Sequence, residues 1–195
     1  MDEGYIKFNC HWIPSNDIPL DKFAQLNVWR EIMYKKGLIG VYPDGISFGN
    51  ISLRCNPKSF LISGTATGRL ATLSESHYSL VTDYDVNTNS VTCVGPLKAS
   101  SESLTHALIY ECSSEVNAII HVHNLNLWNK LIHHVPTTGE NIPYGTPEMA
   151  NEIKRLFDKT EFSKEKIIVM GGHREGIISF GKDFEEAGSI LLNKM

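Results

Sequence analysis

The sequence predicts an α/β domain in which helices pack on a layered sheet. Its 195 residues, 42% of them hydrophobic, are enough to bury one substantial core. Segments with helical spacing of apolar residues occur irregularly among short segments that alternate or run apolar, as strands do. No internal repeat, low-complexity stretch or linker divides them, so we expect one domain over residues 1–195.

The first half of the chain predicts one helix followed by strands. Residues 20–36, LDKFAQLNVWREIMYKK, place mostly apolar side chains at helical spacing, and Arg30 falls among them. In GISFGNISLRC, residues 45–55, apolar residues alternate with small or polar ones, which indicates strands joined or kinked at Gly49. Further strands are expected at SFLIS, which leads into a Gly- and Thr-rich loop, and at SVTCVGP.

The second half predicts helices and strands in alternation. The expected helices are SSESLTHALIYECS, opened by Ser100 or Ser101, then PEMANEIKRLF, and a final helix from about Asp183. The expected strands are AIIHVHN, KIIVM and IISFG, with the loop GGHREG between the last two.

Composition excludes several classes of function. The net charge of -4 offers no basic excess to displace phosphate counterions, so nucleic acid is not an expected partner. The acidic N-terminus has no apolar signal region, and no stretch of about 18 apolar residues occurs, so we expect a cytoplasmic protein without a membrane partner. The four cysteines are scattered without a C-x-x-C pair, which favours reduced thiols.

Two histidines interrupt the apolar strand AIIHVHN. Side chains of a strand alternate between its faces, so His121 and His123 share one face and can converge on one cation. The alternative is that both are partly exposed strand residues. His173 in GGHREG and Glu102, near the start of a helix, would complete a set suited to a divalent metal such as zinc. The alternative for Glu102 is a carboxylate placed favourably at a helix N-terminus.

A second pattern in the sequence consists of short segments rich in glycine and in small hydroxyl residues. They occur as GNIS at 49–52, SGTATG at 63–68 and the serine pair at 100 and 101. Backbone N–H groups, hydroxyls and an amide can bind a phosphate where no arginine cluster is available. Taken singly, each piece is an ordinary turn or cap.

In their order along residues 20–190, these pieces resemble the class II aldolase/adducin family. The order is GNIS, SGTATG, SSE with a histidine four residues on, HVH, and a late GGH before GIISFG. The resemblance implies a three-layer αβα fold around a central, mainly antiparallel sheet. It also implies a homotetramer with active sites at the subunit interfaces. The implied activity is that of a metal-dependent aldolase, a lyase that cleaves a small phosphorylated keto-sugar by a retro-aldol step through a zinc-stabilised enediolate.

The resemblance also assigns roles to residues. His121, His123, His173 and Glu102 match the positions that hold one Zn²⁺ per chain, although Mn²⁺, Co²⁺ or Fe²⁺ also suit imidazole ligands. Glu102 matches the glutamate that shuttles the substrate proton. The positions that match those holding the substrate phosphate are Asn50, Thr67, Gly68, Ser100 and Ser101.

Some features depart from the family pattern. The late loop reads GGHREG where N-H-G is more common. The extra Arg174 and Glu175 either contact a substrate carboxylate or phosphate or pair in solvent, and the second alternative is favoured. The segment that carries a catalytic tyrosine in some members is shorter here, and Tyr144 does not match that motif. Substrate identity therefore does not transfer. The alternatives are a sugar-phosphate dehydratase of the methylthioribulose-1-phosphate dehydratase type and a non-catalytic, adducin-like interaction domain.

Overall fold

The computed structural model describes residues 5–18, 23–159 and 162–195. The strands are β1 (Asn9–Pro14), β2 (Gly40–Val41), β3 (Ser47–Phe48), β4 (Asn50–Asn56), β5 (Ser59–Ser63), β6 (Tyr78–Asp85), β7 (Ser90–Gly95), β8 (Ala118–His123), β9 (Ile167–Val169) and β10 (Gly176–Gly181). The helices are α1 (Phe23–Lys35), α2 (Ser103–Cys112), α3 (Leu125–Leu131), α4 (Pro147–Lys159), α5 (Phe162–Glu165) and α6 (Phe184–Leu192), and a 3-10 turn covers Glu75–His77.

Eight of these strands form one sheet in the order β1-β7-β6-β5-β4-β8-β10-β9. Strand β1 pairs with β7 in parallel, and every other pair of neighbours in this sheet is antiparallel. Strands β2 and β3 form a separate two-stranded hairpin. The prediction of a central, mainly antiparallel sheet is confirmed.

Helices cover both faces of the sheet. The core on one face includes residues of α2 and α4, whereas the core on the other face includes residues of α1, α3 and α6. Strand β8 lies inside the sheet between β4 and β10, and its alternating side chains enter both cores, Ile119 on one side and Ile120 and Val122 on the other. The three-layer αβα architecture is therefore also confirmed, and every residue of β8 is buried in it.

Most of the predicted elements exist, but the start of α2 was predicted wrongly. The helix begins at Ser103 and not with Ser100 or Ser101 as its cap, because the Ser100 carbonyl accepts bonds from both the N–H (3.0 Å) and the hydroxyl (2.6 Å) of Ser103. These bonds form a turn ahead of the helix. Strands β1 and β6 and helix α3 were not predicted, and residues 20–22 of the expected first helix lie outside the described residues.

The state of the cysteines and the presence of membrane-spanning helices can be compared with the expectations from composition. All four cysteines are free thiols, and the sulfurs of Cys10 and Cys93 lie 3.9 Å apart as neighbours on β1 and β7. In the part of the chain that the structure describes, no helix has the length and apolar character needed to cross a membrane.

Candidate metal centre

Three histidines meet at the C-terminal end of β8. His121 and His123 project from one face of this strand, and His173 lies in the loop between β9 and β10. Each offers a ring nitrogen, and these three atoms lie within 4.8 Å of one another. The ring centroids are 4.7–5.4 Å apart. This arrangement can hold one cation on three imidazoles.

Burial decides the protonation state of His121 and His123. The exposed fractions are 1% for His121, 3% for His123 and 5% for His173, so the alternative of partly exposed strand residues is wrong. Burial first, and then the neighbouring imidazoles, lower the pKa values of His121 and His123 well below the usual value. Both rings are therefore neutral at pH 7, which is the form that binds a metal.

Asn50 contacts His121 directly, because the antiparallel register of β4 and β8 pairs these two residues. The amide nitrogen of Asn50 lies 3.2 Å from Nδ1 of His121, while Asn50 Oδ1 has no partner among the described residues. Turning the amide by 180° lets Oδ1 accept an Nδ1–H of His121 and places the amide N–H groups at the position that has no described partner. His121 Nε2, which likewise has no described partner, then keeps its lone pair available for a metal.

A tyrosine and a glutamate hold His123, and neither was predicted from the sequence. The Tyr42 hydroxyl lies 2.9 Å from His123 Nδ1 and donates its one proton to Glu175 Oε2, also at 2.9 Å. The hydroxyl oxygen must then accept the Nδ1–H of His123, which leaves Nε2 for a metal. The prediction of a solvent-facing Glu175 is therefore wrong, whereas Arg174 is exposed as expected.

Glu102 is buried beside the histidines without the partners that a carboxylate needs. Its exposed fraction is 1%, and its Oε1 lies 3.3 Å from His173 Nδ1. Neither oxygen accepts a hydrogen bond from any described residue, and the side chain caps no N–H of α2. A carboxylate that is buried without donors is costly unless a cation or a proton compensates it. The donor set thus fits a divalent metal such as zinc.

Two glycines allow the loop that carries His173 to approach its neighbours. A Cβ on Gly171 would lie 2.2 Å from the Thr138 carbonyl oxygen, and one on Gly172 would lie 2.2 Å from that of Ile142. Only glycine fits at this spacing. The approach also brings Tyr144 onto His173, with ring centroids 4.5 Å apart and an angle of 26° between the planes. Tyr144 therefore orients this imidazole from one side.

The histidines and Glu102 line a pocket of about 220 Å³, called here the site pocket. The residues predicted to hold a phosphate line the same pocket: Asn50, Thr67, Gly68, Ser100 and Ser101. Asn50 stands at the histidine end, where it contacts His121. Residues 64–68 also line the pocket, in the part called here the loop end, and they are the first part of a segment called here the anion loop, residues 64–71.

Backbone groups are the donors that the anion loop offers. Within the described residues, no acceptor takes the N–H of Ala66, Thr67 or Gly68, and Ala66 has a φ of 59°. Successive free N–H groups around a left-handed residue are typical of anion-binding turns. The Thr67 hydroxyl donates to the Gly64 carbonyl at 2.9 Å, so Thr67 offers its N–H to the pocket and not its hydroxyl proton.

Most of this chain matches the model of a known protein family. The model described as Class II Aldolase and Adducin N-terminal domain matches residues 32–192. The chain is also similar to the L-fuculose phosphate aldolase of Methanocaldococcus jannaschii, with 28% identity over 178 residues that cover 86% of this chain and 88% of that protein.

Solved structures show the same fold. The l-fuculose-1-phosphate aldolase of Thermus thermophilus superposes with a TM-score of 0.62 and 19% identity, covering 88% of each chain. The sugar-phosphate aldolase of Thermotoga maritima has a TM-score of 0.62 and 18% identity, covering 90% of this chain and 92% of that one. The family match spans most of the sequence and includes β8, Glu102 and the loop of His173. The chain therefore belongs to the class II aldolase and adducin family.

Proposed function

We propose that this protein is a metal-dependent aldolase that cleaves a small phosphorylated keto-sugar by a retro-aldol step. One observation carries the proposal: a buried carboxylate that accepts no hydrogen bond from a described residue stands beside three buried imidazoles, in a pocket that is also lined by residues whose backbone N–H groups have no described acceptor. Membership of the family and the similarity to an L-fuculose phosphate aldolase support it.

Substrate orientation follows from the two ends of the pocket. The N–H groups of residues 66–68 and the hydroxyls of Ser100 and Ser101 would bind the phosphate. The keto-sugar oxygens would then lie at the histidines. A divalent cation on His121, His123 and His173, with zinc as the proposed ion, would supply a Lewis acid there.

Glu102 is the residue of this chain placed to move a proton. In the cleavage, the hydroxyl proton leaves, the C–C bond breaks, and its electron pair passes to the carbon next to the carbonyl, which then takes up a proton. Glu102 would take the hydroxyl proton and return it to that carbon, so that no proton is gained or lost. Its burial keeps bulk water from competing for that proton.

The adducin-like alternative gains no support from the site. A protein that only binds partners would gain nothing from burying Glu102 without donors beside three histidines. The homotetramer with interfacial sites, the cytoplasmic location and the single domain over residues 1–195 stay predictions. Light scattering of the purified protein tests the first of these.

Product analysis tests the proposed activity. Zinc-loaded protein is incubated with a panel of ketose 1-phosphates, and the products are identified by mass spectrometry. Retro-aldol cleavage gives two fragments, whereas dehydration gives one product that is lighter by a water molecule. Glu102→Gln should lower kcat by about a thousandfold, within the range for a lost general acid and base, because the amide cannot carry the proton. Unchanged turnover in this variant, or a dehydrated product from the wild type, would contradict the proposal.

A further inference from the structure

A buried arginine lies behind the anion loop. Arg30 extends from α1 with an exposed fraction of 1%. Its Nη1 donates to the carbonyls of Leu70 and Ala71, the latter at 2.9 Å. Its Nη2 donates to the carbonyls of Thr67 at 3.0 Å and Gly68 at 3.4 Å. One guanidinium thus holds four carbonyls of the same loop.

These bonds determine where the loop directs its N–H groups. A peptide unit is planar and trans, so its carbonyl and its N–H point in opposite directions. When Arg30 holds the Thr67 carbonyl, the N–H of the same peptide unit, which belongs to Gly68, must point away from α1. Gly68 lines the site pocket, and no described acceptor takes its N–H. Arg30 therefore presents this donor to the pocket.

Arg30 also brings a positive charge to this end of the pocket. Among the described residues, no carboxylate lies within ion-pair distance of its guanidinium, and Tyr34 packs 4.9 Å from it. Burial lowers the pKa of Arg30 from its usual value, because removing the charged guanidinium from water costs free energy. A buried cation that is held by four carbonyl dipoles favours an anion on the far side of those dipoles.

We propose that Arg30 is the positioning residue of the anion loop, whose N–H groups the proposed function assigns to the substrate phosphate. Arg30 does not touch the phosphate. Its bond to the Thr67 carbonyl directs the Gly68 N–H away from α1, and its charge attracts the dianion through the loop. This inference rests on the proposed function for the identity of the substrate, but not for the binding of phosphate itself.

Arg54 provides a matched control. It is a partly buried arginine that also holds backbone carbonyls, those of Tyr110, Ser113 and Val116, each at 2.7 Å. It also packs over an aromatic ring, at 4.7 Å from the Tyr110 centroid. Of the described residues that line the site pocket, none is Arg54 or a residue that it holds. Replacing Arg54 thus removes a similar set of bonds elsewhere in the fold.

The first experiment measures the binding of inorganic phosphate to zinc-loaded protein by calorimetry. Arg30→Gln should raise the dissociation constant about tenfold, the size of effect expected from losing a buried charge and its bonds. Arg30→Lys keeps the positive charge but loses the planar guanidinium group that donates to several carbonyls. Its dissociation constant for phosphate should therefore fall between those of Arg30→Gln and wild type. Arg54→Gln should bind phosphate as wild type does. Zinc content should stay unchanged in all three.

The second measurement needs no variant. Addition of phosphate to ¹⁵N-labelled, zinc-loaded wild-type protein should shift the amide signals of Ala66, Thr67 and Gly68. If these signals stay in place, or if wild type binds no phosphate, the inference is overturned. It is also overturned if folded Arg30→Gln binds phosphate as tightly as wild type, or if Arg54→Gln weakens binding equally.

The two proposals can fail separately. If phosphate binds at the loop and depends on Arg30, while no sugar phosphate is cleaved, the proposed function fails and this inference stands. If sugar phosphates are cleaved with an unchanged KM in Arg30→Gln, the inference fails and the proposed function stands. A purely structural role for Arg30 would lower the melting temperature and leave the KM unchanged.

Discussion

The two ends of the site pocket are built in different ways. At the histidine end, side chains of the enclosed strand β8 carry the chemistry, and His121 and His123 are placed by the sheet itself. At the loop end, the donors are backbone N–H groups, whose direction depends on the fold of residues 64–71. Binding at the histidine end thus depends on the identity of a few side chains, whereas binding at the loop end depends on the backbone conformation. The ends should therefore respond to different substitutions.

Adding one methyl group should break the loop end while the histidine end survives. A Cβ on Gly68 would lie 2.0 Å from the Gly40 carbonyl oxygen, which is backbone and cannot move aside cheaply. Gly68→Ala should lower the free energy of unfolding by about 1–3 kcal/mol and weaken phosphate binding, with zinc content unchanged. Chemical denaturation, phosphate calorimetry and elemental analysis measure the three quantities.

The control for this variant is Gly37→Ala, where an added Cβ meets nothing within 4 Å, although φ is +68°. This control should lose stability through its backbone strain alone and keep phosphate binding. If Gly68→Ala binds phosphate as tightly as wild type does, phosphate binding at the loop end does not depend on the backbone conformation of the loop.

Removing one hydroxyl should weaken the histidine end and leave the loop end intact. In Tyr42→Phe, His123 Nδ1 loses its partner and Glu175 loses the bond that ties it to the histidines. We expect metal affinity to fall about 10–100-fold, as is common when the partner of a metal-bound histidine is removed. Competition with a chelator measures the affinity.

Tyr78→Phe is the matched control, because its hydroxyl donates to Asn27 Oδ1 at 3.1 Å and neither residue lines the site pocket. If Tyr42→Phe binds zinc as tightly as Tyr78→Phe does, the proposed role of Tyr42 is wrong.

Acid should destabilise the fold around the histidine end. His106 is fully buried, with Nδ1 2.7 Å from the Ser52 hydroxyl, and burial lowers its pKa from 6.5 to about 3. Between these two values the unfolded chain binds a proton that the folded chain does not, so stability falls as pH falls. The expected slope is about 1.4 kcal/mol per pH unit from this one group.

Urea denaturation of the metal-free protein at pH 7, 6 and 5 measures this slope, and His106→Gln should reduce it. The exposed His134, replaced by Gln, is the control and should leave the slope unchanged. An equal slope in wild type and His106→Gln would show that this buried histidine does not titrate as described.

The histidine end could be predicted from the sequence because its signal is local. Two histidines at strand spacing share a face whatever the rest of the fold does, and β8 has that geometry. The partners of His123 were missed because Tyr42 lies 81 positions from it, and Glu175 lies 133 positions from Tyr42. No local pattern joins residues at such separations.

The loop end was predicted only in part, for a related reason. The glycines and hydroxyl residues of SGTATG indicate a turn, but they do not say which peptide units direct their N–H groups into a pocket. One signal was available, since Arg30 occupies a position at helical spacing among the apolar residues of α1. A charged residue on the core face of a helix indicates a buried partner, and the four loop carbonyls are that partner.

The metal content of the purified protein shows whether His121, His123 and His173 hold a metal ion, as we propose. Elemental mass spectrometry should find about one zinc per chain in wild type and almost none in His121→Ala, since two imidazoles cannot complete the site. His134→Ala, which removes an exposed histidine, should keep its zinc. Wild type that takes up no divalent metal after incubation with zinc, or His121→Ala that retains it fully, would contradict the account.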